Sequence, residues 1–445
     1  MAKKDKKTAG AGSDFNLQPL NTQRLIDHLR FTLEMGKSAY FGDKKVDAAI
    51  AAASDKKKAR ASKKSDENAS EEESATAEDN TPVKAKTFGR KDINVAIFGR
   101  RGSGKTHICK EEIIRSGCKE VYLNLSTFER PDLSGYPKIF NLGRDEAYVD
   151  FFQPEFFRSL MEGNEPVVLL LDEVDKADPS IWAPLLEITQ FRTINGRALP
   201  NLIVCLMTGN LISEGGNKPS PPLLDRAEKY LVEPSALDWL NWAGNAGVHP
   251  SVTALIQEKP EVLFGNVDME DNYADPSPRG WERSSEIAKW GEEHNQESRL
   301  VTEKVSGCVG KEAGLHYQMY YEHYIQIIPL SNSIMEGKAE KKDLHGLDVT
   351  KRWVLWMSVA NKLSTIMDKK TFSKEDKTKL NAAGKFMLEN TDAENLLCII
   401  RSQIGRERLM QKNPEMLQLM HQAGNPWAEI FKVFRDKVYQ RKARV

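Results

Sequence analysis

The segment Gly99-Arg-Arg-Gly-Ser-Gly-Lys-Thr106 sets three glycines ahead of a lysine and a hydroxyl residue, a spacing suited to gripping phosphate. The glycines let backbone N–H groups close around phosphate oxygens, and a helix beginning near His107 adds its positive end. Lys105 would reach the β- and γ-phosphates of a nucleoside triphosphate, and Thr106 would ligate Mg²⁺ through its hydroxyl. The expected binding set is Gly99, Arg100, Arg101, Gly102, Ser103, Gly104, Lys105, Thr106 and His107. Arg100 and Arg101 make the loop basic, either for extra phosphate contact or facing solvent. Farther along, the apolar run Val167–Leu171 ends in Asp172-Glu173. A buried strand that carries acids to its end beside such a loop suits Asp172 to hold Mg²⁺ through water. Glu173 would orient and polarise an attacking water. The chemistry implied is hydrolysis of ATP with Mg²⁺.

Three further polar residues have types that suit the same reaction. Asn210 follows the apolar run Leu202–Met207 in Thr208-Gly-Asn and would hydrogen-bond the water or the γ-phosphate; Gly-Asn after a strand is also an ordinary turn. Arg226, in Leu223-Leu-Asp-Arg after a proline-rich loop, suits a finger offered to a neighbouring subunit, or a surface ion pair with Asp225 or Glu228. Arg279, in Pro276-Ser-Pro-Arg, would reach back to the γ-phosphate, or simply open a helix.

The elements that must position these residues are legible as alternation. Ile93–Phe98, Val121–Leu125, Val167–Leu171 and Leu202–Met207 read as strands, the last two as central ones covered on both faces. Helical stretches between them imply an α/β fold with a parallel sheet and crossover helices. After about residue 285 strand signals fade, and helices are expected near 313–328, 350–367, 374–389 and 392–412. Residues 1–50 form a basic tail and an amphipathic helix over 15–42, capped by Asn21 or Thr22, with Leu25, Ile26, Leu29 and Leu33 on one face. That face docks a partner or packs back on its own core. Residues 51–88 are charged and poor in large apolar side chains, and read as a disordered tether. The expected domains are 89–245 for nucleotide binding, 246–330 for a helical lid and 331–445 for a helical extension.

Composition excludes several classes. Lys+Arg and Asp+Glu balance at 64 each, which argues against an acidic polymer as the main partner. No run of about 18 apolar residues predicts a membrane span, and the basic N-terminus lacks the apolar stretch of a secretory signal. The five cysteines have no metal spacing, so reduced thiols in a cytoplasm are expected.

Taken together, residues 91–330 resemble the AAA+ superfamily, and within it the MoxR family, in a subgroup common in bacteria and their phages. The carriers are Gly99–Thr106, Leu169-Leu-Leu-Asp-Glu-Val-Asp-Lys-Ala177, Leu185-Leu-Glu-Ile-Thr-Gln with Thr193-Ile-Asn-Gly-Arg197, Thr208-Gly-Asn210, Leu223-Leu-Asp-Arg226 and Ser277-Pro-Arg279. The resemblance implies an AAA+ P-loop sheet sandwiched by helices, then an all-α lid and further C-terminal helices. It implies Lys105, Thr106, Asp172 and Glu173 as the set acting within one chain. Asn210 becomes sensor 1, Arg226 the finger acting in trans, and Arg279 sensor 2. Ala227 departs from the family's preferred Phe. The resemblance further implies a hexameric ring in a bacterial or phage-infected cytoplasm. Its work would be chaperone-like, on a protein partner, often one with a von Willebrand factor A domain. The family also has a β-hairpin just before sensor 1, and Asn195-Gly196 favours a type I′ turn there. In the irregular, aromatic-rich stretch Arg130–Gln153, residues 130–150 contact substrate or partner, or the stretch is loop with Phe151 and Phe152 in the core. The alternatives are a nucleic-acid motor or loader in DNA replication, packaging or restriction, drawing on Arg192, Arg197 and the basic C-terminus, and a nucleotide-gated scaffold, against which Glu173 argues.

Overall fold

The computed structural model describes residues 19–42, 93–140, 148–214, 217–265, 275–369, 371–400, 414–422 and 424–433. The expected tether over 51–88 and the basic residues Arg435, Lys437, Arg441, Lys442 and Arg444 lie outside them. The chain divides into two units, Met1–Glu233 and Pro234–Val445.

Uninterrupted apolar runs become the middle of a sheet in the first unit. Its elements are β1 (Pro19–Leu20), α1 (22–42), β2 (Asn94–Gly99), α2 (Lys105–Ser116), β3 (Lys119–Asn124), α3 (Arg130–Ser134), β4 (Tyr136–Phe140), β5 (Tyr148–Phe152), α4 (Arg158–Met161), β6 (Val167–Asp172), α5 (Trp182–Phe191), β7 (Thr193–Ile194), β8 (Arg197–Ala198), β9 (Leu202–Gly209), α6 (Pro221–Asp225) and β10 (Glu228–Val232). Six strands pair in the order β1-β10-β2-β9-β6-β3, all parallel. Successive side chains of a strand point to opposite faces, so each central strand feeds two cores. Val95, Ile97, Leu170 and Leu206 pack with Leu25, Leu29, Leu33 and Ile113 of α1 and α2. Ala96, Phe98, Leu169, Leu171 and Met207 pack with Leu133, Leu185 and Ile188 on the other side.

The N-terminal helix therefore covers its own sheet. Asn21 Oδ1 accepts the Arg24 N–H at 2.9 Å and caps it. Burying Leu25, Leu29 and Leu33 contributes about 2 kcal/mol each. Arg30 Nε and an Arg30 terminal nitrogen meet the Glu112 carboxylate of α2 at 2.8 and 3.1 Å. The apolar face that could have docked a partner is thus already used. The helix begins at 22, not 15, because Pro19–Leu20 pairs with β10.

Two other differences concern strands. β10 was not expected, because its first residues, Glu228 and Lys229, are exposed and only its end is buried. The stretch expected to be irregular contains an antiparallel pair, β4 with β5.

The second unit is helical in its described residues: α7 (Ala236–Ala246), α8 (Pro250–Glu258), α9 (Pro278–Glu293), α10 (Ser298–Val309), α11 (Lys311–Met335), α12 (Val349–Met367), α13 (Lys374–Asn390), α14 (Ala393–Ile399) and a further helix Pro414–His421. Expected domain borders after 245 and 330 do not coincide with breaks in packing. One apolar core runs from Trp239 to Ile430, with Tyr317 and Tyr320 of α11 in the same cluster as Val354 and Leu355 of α12. Among the described residues no helix is long and apolar enough to cross a membrane. All five cysteines are free thiols.

Candidate functional site

Parallel strands bring all their C-terminal ends to one edge, where ligands of open α/β sheets bind. β9 lies between β2 and β6. That order sets Thr208 and Asn210 between the phosphate-type loop after β2 and the acids after β6.

The loop itself turns on Gly102 and Gly104, with φ of 72° and 81°, values that strain residues with a Cβ. α2 then starts at Lys105. Its first N–H groups have no partner inside the helix and point toward the loop. Lys105 is buried. Its Nζ donates to the carbonyls of Gly99 at 2.9 Å and Arg100 at 2.8 Å, and to Asn210 Oδ1 at 3.4 Å. Ser103 is buried beneath the loop, while Arg101 is exposed and Arg100 half-buried. The His107 ring is exposed and pairs with Glu111 at 3.4 Å.

Asp172 is held by four donors. Its Oδ1 accepts the Thr106 hydroxyl at 2.9 Å, the Thr208 hydroxyl, and the Glu173 N–H at 3.1 Å. Its Oδ2 accepts the Tyr122 hydroxyl at 3.0 Å. Glu173 adopts φ 55°, ψ 43°, a left-handed conformation costing about 1–3 kcal/mol in a residue with a side chain. Burial opposes ionisation of Glu173, but hydrogen bonds from Lys176 and Ser126 outweigh it and hold the carboxyl below its ordinary range. Asn210 is fixed by buried Asp175, which accepts its N–H at 3.0 Å and its side-chain amide at 3.3 Å. Lys105, Asn210 and Asp175 thus form one hydrogen-bonded group and Thr106, Asp172 and Thr208 a second, the two adjoining through the consecutive residues Lys105 and Thr106.

Arg226 is not joined to either group. Its guanidinium donates to Gln190 Oε1 at 3.1 Å and to the Pro222 carbonyl at 2.6 Å. Asp225 and Glu228, the expected ion-pair partners, do not take it. Arg279 belongs to the second unit, exposed in the first turn of α9 behind the cap Ser277.

Two hairpins flank one another nearby in the same unit. Asn195 and Gly196 have φ of 50° and 74°, both positive as a type I′ turn requires. Glu187 of α5 anchors that tip by accepting the Thr193 hydroxyl and the Asn195 and Gly196 N–H groups at 3.0 to 3.2 Å. Asn195 donates to the Ser134 carbonyl, and Arg197 meets Asp150 of β5 at 2.6 Å. Arg192, expected on the basic tip, is buried instead. It donates to Asn94 Oδ1 and the Ile93 carbonyl at 2.8 Å each and to Cys205 Sγ at 3.1 Å. On the other hairpin Tyr136, Tyr148 and Phe152 share one face with Lys138, whose Nζ lies 4.8 Å from the Phe152 ring centre. Phe152 is exposed and Phe151 half-buried, so neither lies in the core.

Among the described residues no group of three His, Cys, Asp or Glu side chains could hold a metal alone. Thr106 and Asp172 offer one hydroxyl and one carboxylate, a hard-oxygen set that fits Mg²⁺ when phosphate oxygens and water supply the remaining ligands. Sequence reasoning passed over Tyr122, Asp175, Glu187 and the Thr208 hydroxyl. Tyr122, Asp175 and Thr208 act between neighbouring strands or the segments that follow them, and Glu187 reaches the turn that follows its own helix, so their roles show only once the chain is folded. Neither a scan against protein-family models nor a search of curated proteins finds a match for this chain.

Proposed function

We propose that this chain is a Mg²⁺-dependent ATPase of the AAA+ type, MoxR-like, that works as a ring on a protein partner. The observation that carries the reading is the Lys105–Asn210–Asp175 and Thr106–Asp172–Thr208 cluster at the C-terminal edge of a parallel sheet, with β9 between β2 and β6. In this reading Lys105 leaves the loop carbonyls for the β- and γ-phosphates. Thr106 and Asp172 hold Mg²⁺, which neutralises phosphate charge when bound. Glu173, ionised, orients a water and takes its proton. Asn210, held by Asp175, aligns that water or the γ-phosphate.

The protein-directed reading is favoured over the nucleic-acid one. Arg192 is buried in the fold and Arg197 is neutralised by Asp150, so the hairpin tip lacks a pair of free basic side chains. The β4–β5 hairpin instead offers exposed Tyr136, Ile139, Tyr148 and Val149, apolar surface suited to polypeptide. The hexamer, the finger role of Arg226, a von Willebrand factor A partner and a cytoplasmic site of action are parts of the same proposal.

The test is hydrolysis of ATP by the purified full chain with Mg²⁺, beside Lys105→Ala and Glu173→Gln. We expect turnover in the parent chain, weak nucleotide binding in the first variant, and binding without turnover in the second. Equal turnover in all three would sink the proposal.

A further inference from the structure

Tyr122 occupies an unusual place for an aromatic residue on an outer strand. In the parallel pair of β3 and β6, Tyr122 lies opposite Leu170, and its hydroxyl crosses diagonally to Asp172 Oδ2 at 3.0 Å. The ring is held on its other side. Lys110 Nζ of α2 stands 3.7 Å from the ring centre, and the same nitrogen pairs with Glu120 at 3.5 Å. Tyr122 therefore links three elements: the helix behind the phosphate-type loop, the outer strand, and the strand that ends in the acids.

The bonds to Asp172 divide unequally. Thr106, Thr208 and the Glu173 N–H all reach Oδ1. Oδ2 takes the Tyr122 hydroxyl. Both oxygens lie off the Cβ–Cγ bond, so donors on either oppose rotation; the Tyr122 bond adds the restraint at Oδ2, the oxygen that Thr106, Thr208 and the Glu173 N–H do not hold. The phenol hydroxyl is the donor in this bond.

We propose that Tyr122 is a positioning residue that fixes the plane of the Asp172 carboxylate and thereby sets the Mg²⁺ dependence of nucleotide binding. The inference rests on the nucleotide-site reading above. Removing the hydroxyl leaves Asp172 present but misaligned toward a hydrated cation, a loss typical of outer-shell partners of metal ligands.

Tyr122→Phe tests it, because Phe keeps the ring, the strand preference and the Lys110 contact. Binding of a fluorescent ATP analogue to the full chain is titrated with Mg²⁺, and separately measured in EDTA. The expected result is a rise of about ten-fold in the Mg²⁺ concentration at half-saturation. Affinity in EDTA and the thermal midpoint should match the parent chain. An unchanged Mg²⁺ titration overturns the role of Tyr122 while leaving the nucleotide site intact. An equal loss of affinity in EDTA also overturns it, since the hydroxyl would then serve the nucleotide or the fold. If the parent chain binds no nucleotide with or without Mg²⁺, the underlying reading fails and this one with it.

Discussion

Asp175 holds Asn210 at two points, accepting its backbone N–H at 3.0 Å and its side-chain amide at 3.3 Å. Asp175 is buried, so both bonds form away from water. With the amide nitrogen turned toward Asp175, the amide oxygen must face Lys105, as the 3.4 Å contact records. Replacing Asp175 by Ala strands a buried N–H and frees the amide to rotate. Such a loss costs about 1–3 kcal/mol. If it falls on the transition state, turnover drops about ten- to a hundred-fold. Steady-state ATP hydrolysis, with nucleotide affinity measured in parallel, checks this. Affinity lost in step with turnover would show that Asp175 serves binding rather than the water-aligning amide.

Glu173 combines two features that point the same way. Its backbone sits in the left-handed region, and its carboxyl is held below the ordinary range. A group lowered in this way is already ionised at neutral pH and stays so as the solution is made mildly acidic. Glu173→Gln keeps shape and backbone strain but removes the charge. Turnover should fall at least about a hundred-fold with nucleotide binding retained. A hydrolysis rate that declines between about pH 7 and 6 in the parent chain would have to come from another group, since Glu173 does not titrate there.

The parts of the site that were legible in the sequence are those made by local order. A strand, a glycine loop and a helix are consecutive, so Lys105 and Thr106 could be placed without a fold. Asp172 and Glu173 follow directly from five buried residues of β6. What was hidden is made by partners distant in sequence. Asp175 stood in the Asp-Glu-Val-Asp-Lys-Ala run with no role of its own, yet its fold partner Asn210 directly follows another strand, β9. Arg192 was expected in solvent because isolated arginines usually are; here Asn94 and backbone carbonyls draw it inward. β1 is two residues long and β10 begins with two exposed charged residues, so neither carried the apolar signature of the central strands. The borders of α12 and α13 were readable to within a residue, α11 runs on to Met335 rather than 328, and most of the stretch expected over 392–412 lies outside the described residues. The sharing of one core by 239–430 was not readable, because amphipathic periodicity names a buried face and not its partner.

Arg192 gives a stability prediction that also bears on partner choice. It sits at the end of α5 with φ 53° and donates to groups on β2, α5 and β9. Arg192→Ala removes these bonds and leaves buried acceptors behind, costing about 3 kcal/mol. Arg197→Ala removes a half-exposed pair and should cost under about 1 kcal/mol. Urea midpoints of the two variants separate the cases. A stable Arg192→Ala chain that had lost affinity for DNA would revive the nucleic-acid reading.

The exposed hairpin predicts a separation of basal and stimulated activity. Tyr136 and Phe152 face each other across β4 and β5, and both are exposed. Changing both to Ser should leave nucleotide binding and basal hydrolysis within about two-fold, because surface changes away from buried groups alter stability little. Stimulation by a captured protein partner should be lost. Stimulation that survives the double change would place the contact elsewhere.

His249 supplies the pH dependence of the second unit. Its Nδ1 lies 2.7 Å from the Ser251 hydroxyl oxygen and 3.3 Å from the Ser251 N–H, and its Nε2 meets Glu292 Oε2 at 3.3 Å. Tyr324 donates to the same carboxylate at 3.0 Å. Burial pushes the His249 ring down, outweighing the Glu292 carboxylate that favours its charged form. Below the unfolded pKa of about 6.5, the unfolded chain therefore takes up a proton that the folded unit refuses, and stability falls as pH falls. The slope is at most about 1.4 kcal/mol per pH unit and ends at the folded pKa. Glu292, lowered first by its bond from His249 and with burial opposing, loses its contribution at a lower pH, in the range where carboxylates titrate. Thermal midpoints of the full chain between about pH 7.5 and 5.5 should fall, and His249→Gln, which keeps an acceptor for Ser251, should flatten that fall. The same slope in both chains would mean that another buried group carries it.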